Sequence, residues 1–76
     1  MQLWIRSQNK RCLIKVQSLI IEKNEAGNRW ILVNYFGESE TYLGIYNTEE
    51  RAVEILDNIE HWMTQRNELI YEMPEK

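Results

Sequence analysis

The sequence predicts an α+β domain. An antiparallel meander of about four to five strands carries one amphipathic helix, residues 48–66, on a face, and a short strand closes the chain. Three observations lead there. The first two-thirds of the chain are β-branched and aromatic runs separated by short polar or glycine-bearing turns. A single stretch after Tyr46 switches to helical periodicity. The 76 residues, read as 1–76, hold no internal repeat, linker or low-complexity segment, so they form one domain.

Each element follows in order. Leu3, Trp4 and Ile5 open a short strand, and Ser7-Gln8-Asn9-Lys10 is a polar turn. Residues 12–23 read as strand, with Cys12, Ile14, Val16, Ser18 and Ile20 alternating to one face. The apolar set changes parity after Gln17-Ser18, towards Leu19 and Ile21, which predicts a bulge or a break into two strands. Residues 24–28 form a turn in which Gly27 can take positive φ. Residues 30–36, rich in β-branched and aromatic side chains, are the strongest strand, and residues 41–46 form another after the turn at Gly37.

The helix has Asn47 or Thr48 as its N-cap candidate, and Asn47 with Glu50 fits a capping box. Glu49 and Glu50 suit the first turn, where the helix dipole favours acids, and Arg66 suits the last. Ala52, Ile55, Leu56, Ile59, Trp62 and Met63 share one side, while Glu50, Glu54, Asp57, His61 and Thr64 share the other. Residues 69–73 make the last strand, which Pro74 ends because it has no N–H to donate. One helix stripe cannot cover Trp4, Trp30, Tyr35, Tyr42 and Tyr46, so some of these belong to a subunit interface or a ligand pocket.

Composition narrows the function. With 43% hydrophobic and 28% charged residues the chain is an ordinary folded domain. A core this small supplies only ~3–5 kcal/mol, which asks for a staple. One cysteine gives no internal disulfide, and one cysteine with one histidine gives no four-ligand zinc site, so self-association is the first candidate. No apolar run approaches the ~20 residues of a membrane helix, and the first residues lack a signal-peptide stretch, so a cytoplasmic protein is expected. The net charge of −3 disfavours binding duplex nucleic acid through a broad basic face. That figure hides a split. Residues 1–23 hold five basic residues against one acid, +4, and residues 24–76 hold four against eleven acids, −7.

Reaction chemistry is thin. Asp57 and His61 are four apart, but on the solvent side of the helix, where such pairs are common. Cys12 leads an apolar strand, the setting of a buried inert thiol. The helix acids wind around the axis rather than converge, and Gly27, Gly37 and Gly44 are isolated rather than part of a phosphate loop. No catalytic residue, cofactor or metal is expected, and the chain reads as a non-enzyme.

The most unusual stretch is Trp4 to Arg11. Arg6 can fork onto a phosphate, with Lys10 as a second cation. Ser7 and Gln8 can donate and accept hydrogen bonds at once, as base or ribose recognition requires, and so can Asn9. Trp4, either core residue or pocket wall, offers a stacking face. Tyr46 and Arg51 flank the helix start, where anions bind. The bland alternative is a polar strand end beside a core tryptophan.

Three segments resemble small proteins of phages and prophages of Gram-positive bacteria. They are the opening Trp4-Ile5-Arg6-Ser7-Gln8-Asn9-Lys10, the helix start Tyr42-Leu43-Gly44-Ile45-Tyr46 running into Thr48-Glu49-Glu50-Arg51-Ala52, and the tail Tyr71-Glu72-Met73-Pro74. Such proteins commonly have Asp where this chain has Asn9, and the middle of the chain carries no signature. The resemblance implies an accessory or counter-defence factor acting by stoichiometric binding in the host cell. The lead expectation is therefore a homo-oligomer that sequesters a small phosphorylated, nucleotide-derived signal through Trp4, Arg6, Ser7, Gln8 and Lys10, with Tyr46 and Arg51 assisting. The alternative is an inhibitor of a host protein acting through the acidic helix, Glu50, Glu54, Asp57 and Glu60. A third expectation is a structural accessory protein that makes only self-contacts.

Overall fold

The computed structural model describes residues 3–65 and 70–76. Six strands and one helix follow in the order β1 (Trp4–Arg6), β2 (Leu13–Lys15), β3 (Ser18–Lys23), β4 (Trp30–Phe36), β5 (Ser39–Tyr46), α1 (Glu49–Gln65) and β6 (Ile70–Glu72). The fold is α+β, with the strands divided between two three-stranded sheets ordered β2-β1-β6 and β3-β4-β5. The second sheet is an antiparallel meander. In the first, β6 lies parallel to β1, a pairing that needs a long crossover, and α1 lies within it. Among the described residues no helix is long and apolar enough to cross a membrane.

The division between sheets occurs where the apolar parity changes. The chain leaves β2 at Val16-Gln17 and enters the other sheet as β3. Val16 N–H still donates to Leu3 O at 2.9 Å, extending the pairing with β1. Gln17 N–H donates instead to Oδ1 of Asn34 at 2.9 Å. Asn34 is buried in β4, so a polar side chain inside the fold takes the donor that the break would otherwise leave unpaired. The parity change follows: Ile14 and Val16 pack on the core before the break, Leu19 and Ile21 after it, and Ile20 faces out.

The core joins both sheets to the helix. Ile5 and Tyr71 from the first sheet meet Leu32, Leu43 and Tyr46 from the second and Ile55 and Ile59 from α1. Trp62 of α1 stands edge-on to Tyr71, ring centroids 5.4 Å apart. A bulge aligns the inner side of β5. Leu32 pairs with Gly44 and Val33 with Tyr42, so Leu43 is the extra residue and turns inward. Tyr46 then lies back over Gly44. A Cβ at Gly44 would sit 2.6 Å from the Tyr46 hydroxyl, so only glycine fits beneath that ring.

Several details differ from the sequence expectations. Thr48 is the N-cap, its Oγ1 accepting Arg51 N–H at 3.1 Å, and the Asn47–Glu50 box does not form because the third helical residue is then Arg51. Met63 is exposed rather than on the packed stripe. Cys12 is also exposed, because its strand begins one residue later and Cys12 belongs to the turn. Arg66 and Leu69 lie outside the described residues. The five surplus aromatics divide: Tyr46 enters the core, Trp30 is half-buried beneath Lys23 with Nζ 5.5 Å from the ring centre, Tyr35 is half-buried, and Trp4 and Tyr42 are exposed.

Candidate functional site

The turn between β1 and β2 is built from its own polar side chains. Ser7 is 3% exposed. Its Oγ donates to Asn9 Oδ1 at 2.7 Å and accepts Cys12 N–H at 3.1 Å. Its backbone N–H donates to Cys12 O, and its carbonyl accepts Lys10 N–H, each at 2.9 Å. Asn9 Oδ1 also accepts Arg11 N–H at 2.9 Å. Asn9 thus acts in the turn only as an acceptor, which an aspartate would also supply. Lys10 holds the turn at φ 69°, in the left-handed region that non-glycine residues seldom adopt.

Gln8 ties this turn to two distant segments. Its backbone N–H donates to Leu43 O, the carbonyl of the bulge, at 2.7 Å. Its side-chain Oε1 accepts Ile45 N–H at 3.0 Å while Nε2 donates to Ile45 O at 3.2 Å. The primary amide therefore pairs with β5 as a peptide group would. Nε2 also meets Pro74 O at 3.3 Å and Glu75 O at 2.8 Å, fixing the C-terminal tail.

The tail reaches Tyr46 and Arg51 as well. Tyr46 is buried, and its hydroxyl donates to Pro74 O at 2.9 Å. Burial pushes its pKa up to about 12, and the nearby Arg51 charge opposes this only in part. Arg51 donates through Nε to Lys76 O at 2.8 Å and through Nη1 to Glu54 at 2.6 Å. Beside them a cleft of about 500 Å³ is lined by Arg29, Ile45, Asn47, Thr48, Arg51 and Lys76, together with Tyr46 and Glu75. Trp4 and Arg6 have no part in it.

Those two share a different surface. In β1 the buried Ile5 alternates with the outward Trp4 and Arg6, and Trp4 keeps 38% of its area exposed. Register places Lys15 directly opposite Trp4 on β2 and Leu13 opposite Arg6. On the other side Ile70 is opposite Trp4 and Glu72 opposite Arg6. Lys10 joins the rim through an exposed ion pair with Glu72 at 3.2 Å.

Of the seven residues singled out in the sequence, then, Trp4 and Arg6 come together, with Lys10 at the edge. Ser7 and Gln8 direct their polar atoms into the fold, Tyr46 packs in the core, and Arg51 lines the separate cleft. Lys15 escaped the sequence reading. Its parity relative to Trp4 was visible, but the β1–β2 register that sets it against the indole was not. On the helix, Glu49, Glu50, Glu54 and Asp57 line one shallow groove with Val53 and Asn58. Among the described residues, no three His, Cys, Asp or Glu side chains gather closely enough to hold a metal ion.

Comparison of the chain with protein-family models, with curated proteins and with solved structures finds no match in any of the three.

Proposed function

We propose that this chain is a non-enzymatic, phage-type counter-defence protein of the host cytoplasm, which sequesters a small phosphorylated, nucleotide-derived anion as a homo-oligomer. The observation that carries this reading is the outer face of β1, where an exposed indole has a guanidinium two residues along its own strand and an ammonium directly opposite. The indole face suits a base, and stacking of that kind contributes roughly 1–3 kcal/mol. Arg6 suits a phosphate through its two-pronged fork, and Lys15 adds a point charge. A sheet face is flat, whereas small-ligand sites bury most of the ligand. A second copy of the chain is what would enclose the anion.

Calorimetric titration with cyclic dinucleotides and ADP-ribose derivatives tests the assignment. Arg6→Ala should abolish binding with the melting temperature unchanged, because the backbone of β1, not this outward side chain, carries its ladder. Trp4→Ala should abolish binding too, with a lower melting temperature, because the indole keeps only 38% of its area exposed and the substitution uncovers what it packs on. Undiminished affinity in Arg6→Ala would remove the site.

A second reading rests on the acidic groove of α1, which fits a basic surface of a host protein better than any anion. Reversing Glu50, Glu54 and Asp57 to lysine should destroy inhibition if that reading holds and spare anion binding at β1.

A further inference from the structure

We infer that the open end of the inner face of the β3-β4-β5 sheet is a second small-molecule site, fitted to a sugar phosphate. Neither Trp4 nor Arg6 lines it, and Lys15 alone borders both this site and the anion face of β1.

The inward positions of a sheet packed on a core are ordinarily apolar. On β4 the inward Leu32 is wholly buried, and the next two inward residues are Asn34 and Phe36. Register sets Thr41 of β5 opposite Asn34 and Ser39 opposite Phe36. Three side chains are thus polar where the core would continue, and Phe36 keeps 67% of its area exposed. The core stops there. A cleft of about 460 Å³ opens instead, closed on its other side by Lys15 of β2 and by Gln17 in the break that follows. No residue of α1 lines it.

Asn34 carries the inference. It is 4% exposed, and its Oδ1 accepts Gln17 N–H. That bond fixes the orientation of the amide, because only the oxygen can face an N–H donor. Nδ2 therefore points away from Gln17 N–H, and it has no acceptor among the described residues. A buried donor left unpaired is costly, and this one borders a cleft of the size that small ligands fill.

The surrounding side chains define the ligand. Nδ2 calls for an acceptor oxygen. Gln17, Ser39 and Thr41 each donate and accept, as ring hydroxyls do in return. Lys15 is half-buried with no ion-pair partner among the described residues, and no carboxylate lines the cleft, so the charge favours an anion. An ammonium serves a phosphate as a point charge. Phe36 offers a flat apolar wall to the carbon face of a ring. A free sugar phosphate and the ribose phosphate of a nucleotide share this chemistry.

Heteronuclear NMR titration of the full chain with ribose 5-phosphate tests the site, carried to about 10 mM because an open cleft and so small a ligand give a Kd of about 1 mM. The Asn34 side-chain amide signal and the backbone signals of Gln17, Ser39 and Thr41 should shift and saturate together. Thr41→Val, which is nearly isosteric, should raise Kd about tenfold with circular dichroism unchanged, the effect of one lost hydrogen bond. Asn34→Asp keeps the acceptor for Gln17 N–H but exchanges the free donor for an acceptor, and should abolish binding. Arg6→Ala should leave this binding as it is. Shifts at these residues with uridine monophosphate but not with ribose 5-phosphate support the site and assign it to nucleotides. Equal shifts with inorganic phosphate alone overturn the sugar. Silence of the cleft signals with both ligands, or undiminished binding in Thr41→Val and Asn34→Asp, overturns the site. Shifts confined to Trp4 and Arg6 overturn it and leave the β1 face standing.

Discussion

Gln8 pairs with β5 through its side chain, and that has a measurable consequence. Replacing it by alanine removes the partner of Ile45 on the strand edge and of Pro74 and Glu75 in the tail. These groups are largely solvent-reachable, so the expected loss is about 1–3 kcal/mol in urea unfolding rather than the sum of the bonds. Gln8→Glu should cost more than Gln8→Ala, because a carboxylate still accepts from Ile45 N–H but turns negative charge on three carbonyl oxygens. A ligand-reading Gln8 would behave oppositely, losing binding in both variants with stability intact. Gly44→Ala is a second residue-scale test. The added methyl must displace the buried Tyr46 ring, an overpacking cost of about 1–3 kcal/mol read in the same unfolding curve. Neither role was legible from the residues. An amide beside two cations has the chemistry of recognition, and the partners that use it instead lie 37 and 67 positions away.

At the scale of elements the sequence was more informative, because each element is specified by its neighbours in the chain. The parity change at Gln17-Ser18 announced the break, and what it could not announce was that the two halves belong to different sheets or that Asn34 receives the freed N–H. Strand β4 is legible residue for residue because its apolar run is long. Strand β6 is three residues without a distinctive pattern, and its parallel partner lies at the other end of the chain. The helix start offered two caps, and only geometry separates them. Thr48→Ala should cost about 1 kcal/mol, because it removes the acceptor for Arg51 N–H. Asn47→Ala should leave the unfolding free energy within about 0.5 kcal/mol of wild type, as an exposed surface change does. The reverse order would restore Asn47 as the cap.

Across the whole molecule, the tail and the tyrosines link the core to pH. Burial raises the pKa of both Tyr46 and Tyr71, so the fold holds each phenol neutral where an unfolded chain would release its proton. The sign follows from linkage. A group whose folded pKa exceeds its unfolded value of about 10 contributes stability that is complete below that pH and fades as pH rises through the folded value. For Tyr46 the window runs from its unfolded value up to about 12. The melting temperature should therefore be flat from neutral pH to about 9 and fall steeply above 10. Tyr46→Phe separates this from general alkaline repulsion in an acidic chain. It gives up the bond to Pro74 O, lowering stability by about 1 kcal/mol at pH 8, and removes one of the titrating phenols. Its alkaline slope should then be shallower, so that wild type and variant converge near pH 12. Parallel curves across that range would mean that accumulated negative charge, and not the buried hydroxyl under the tail, governs alkaline unfolding.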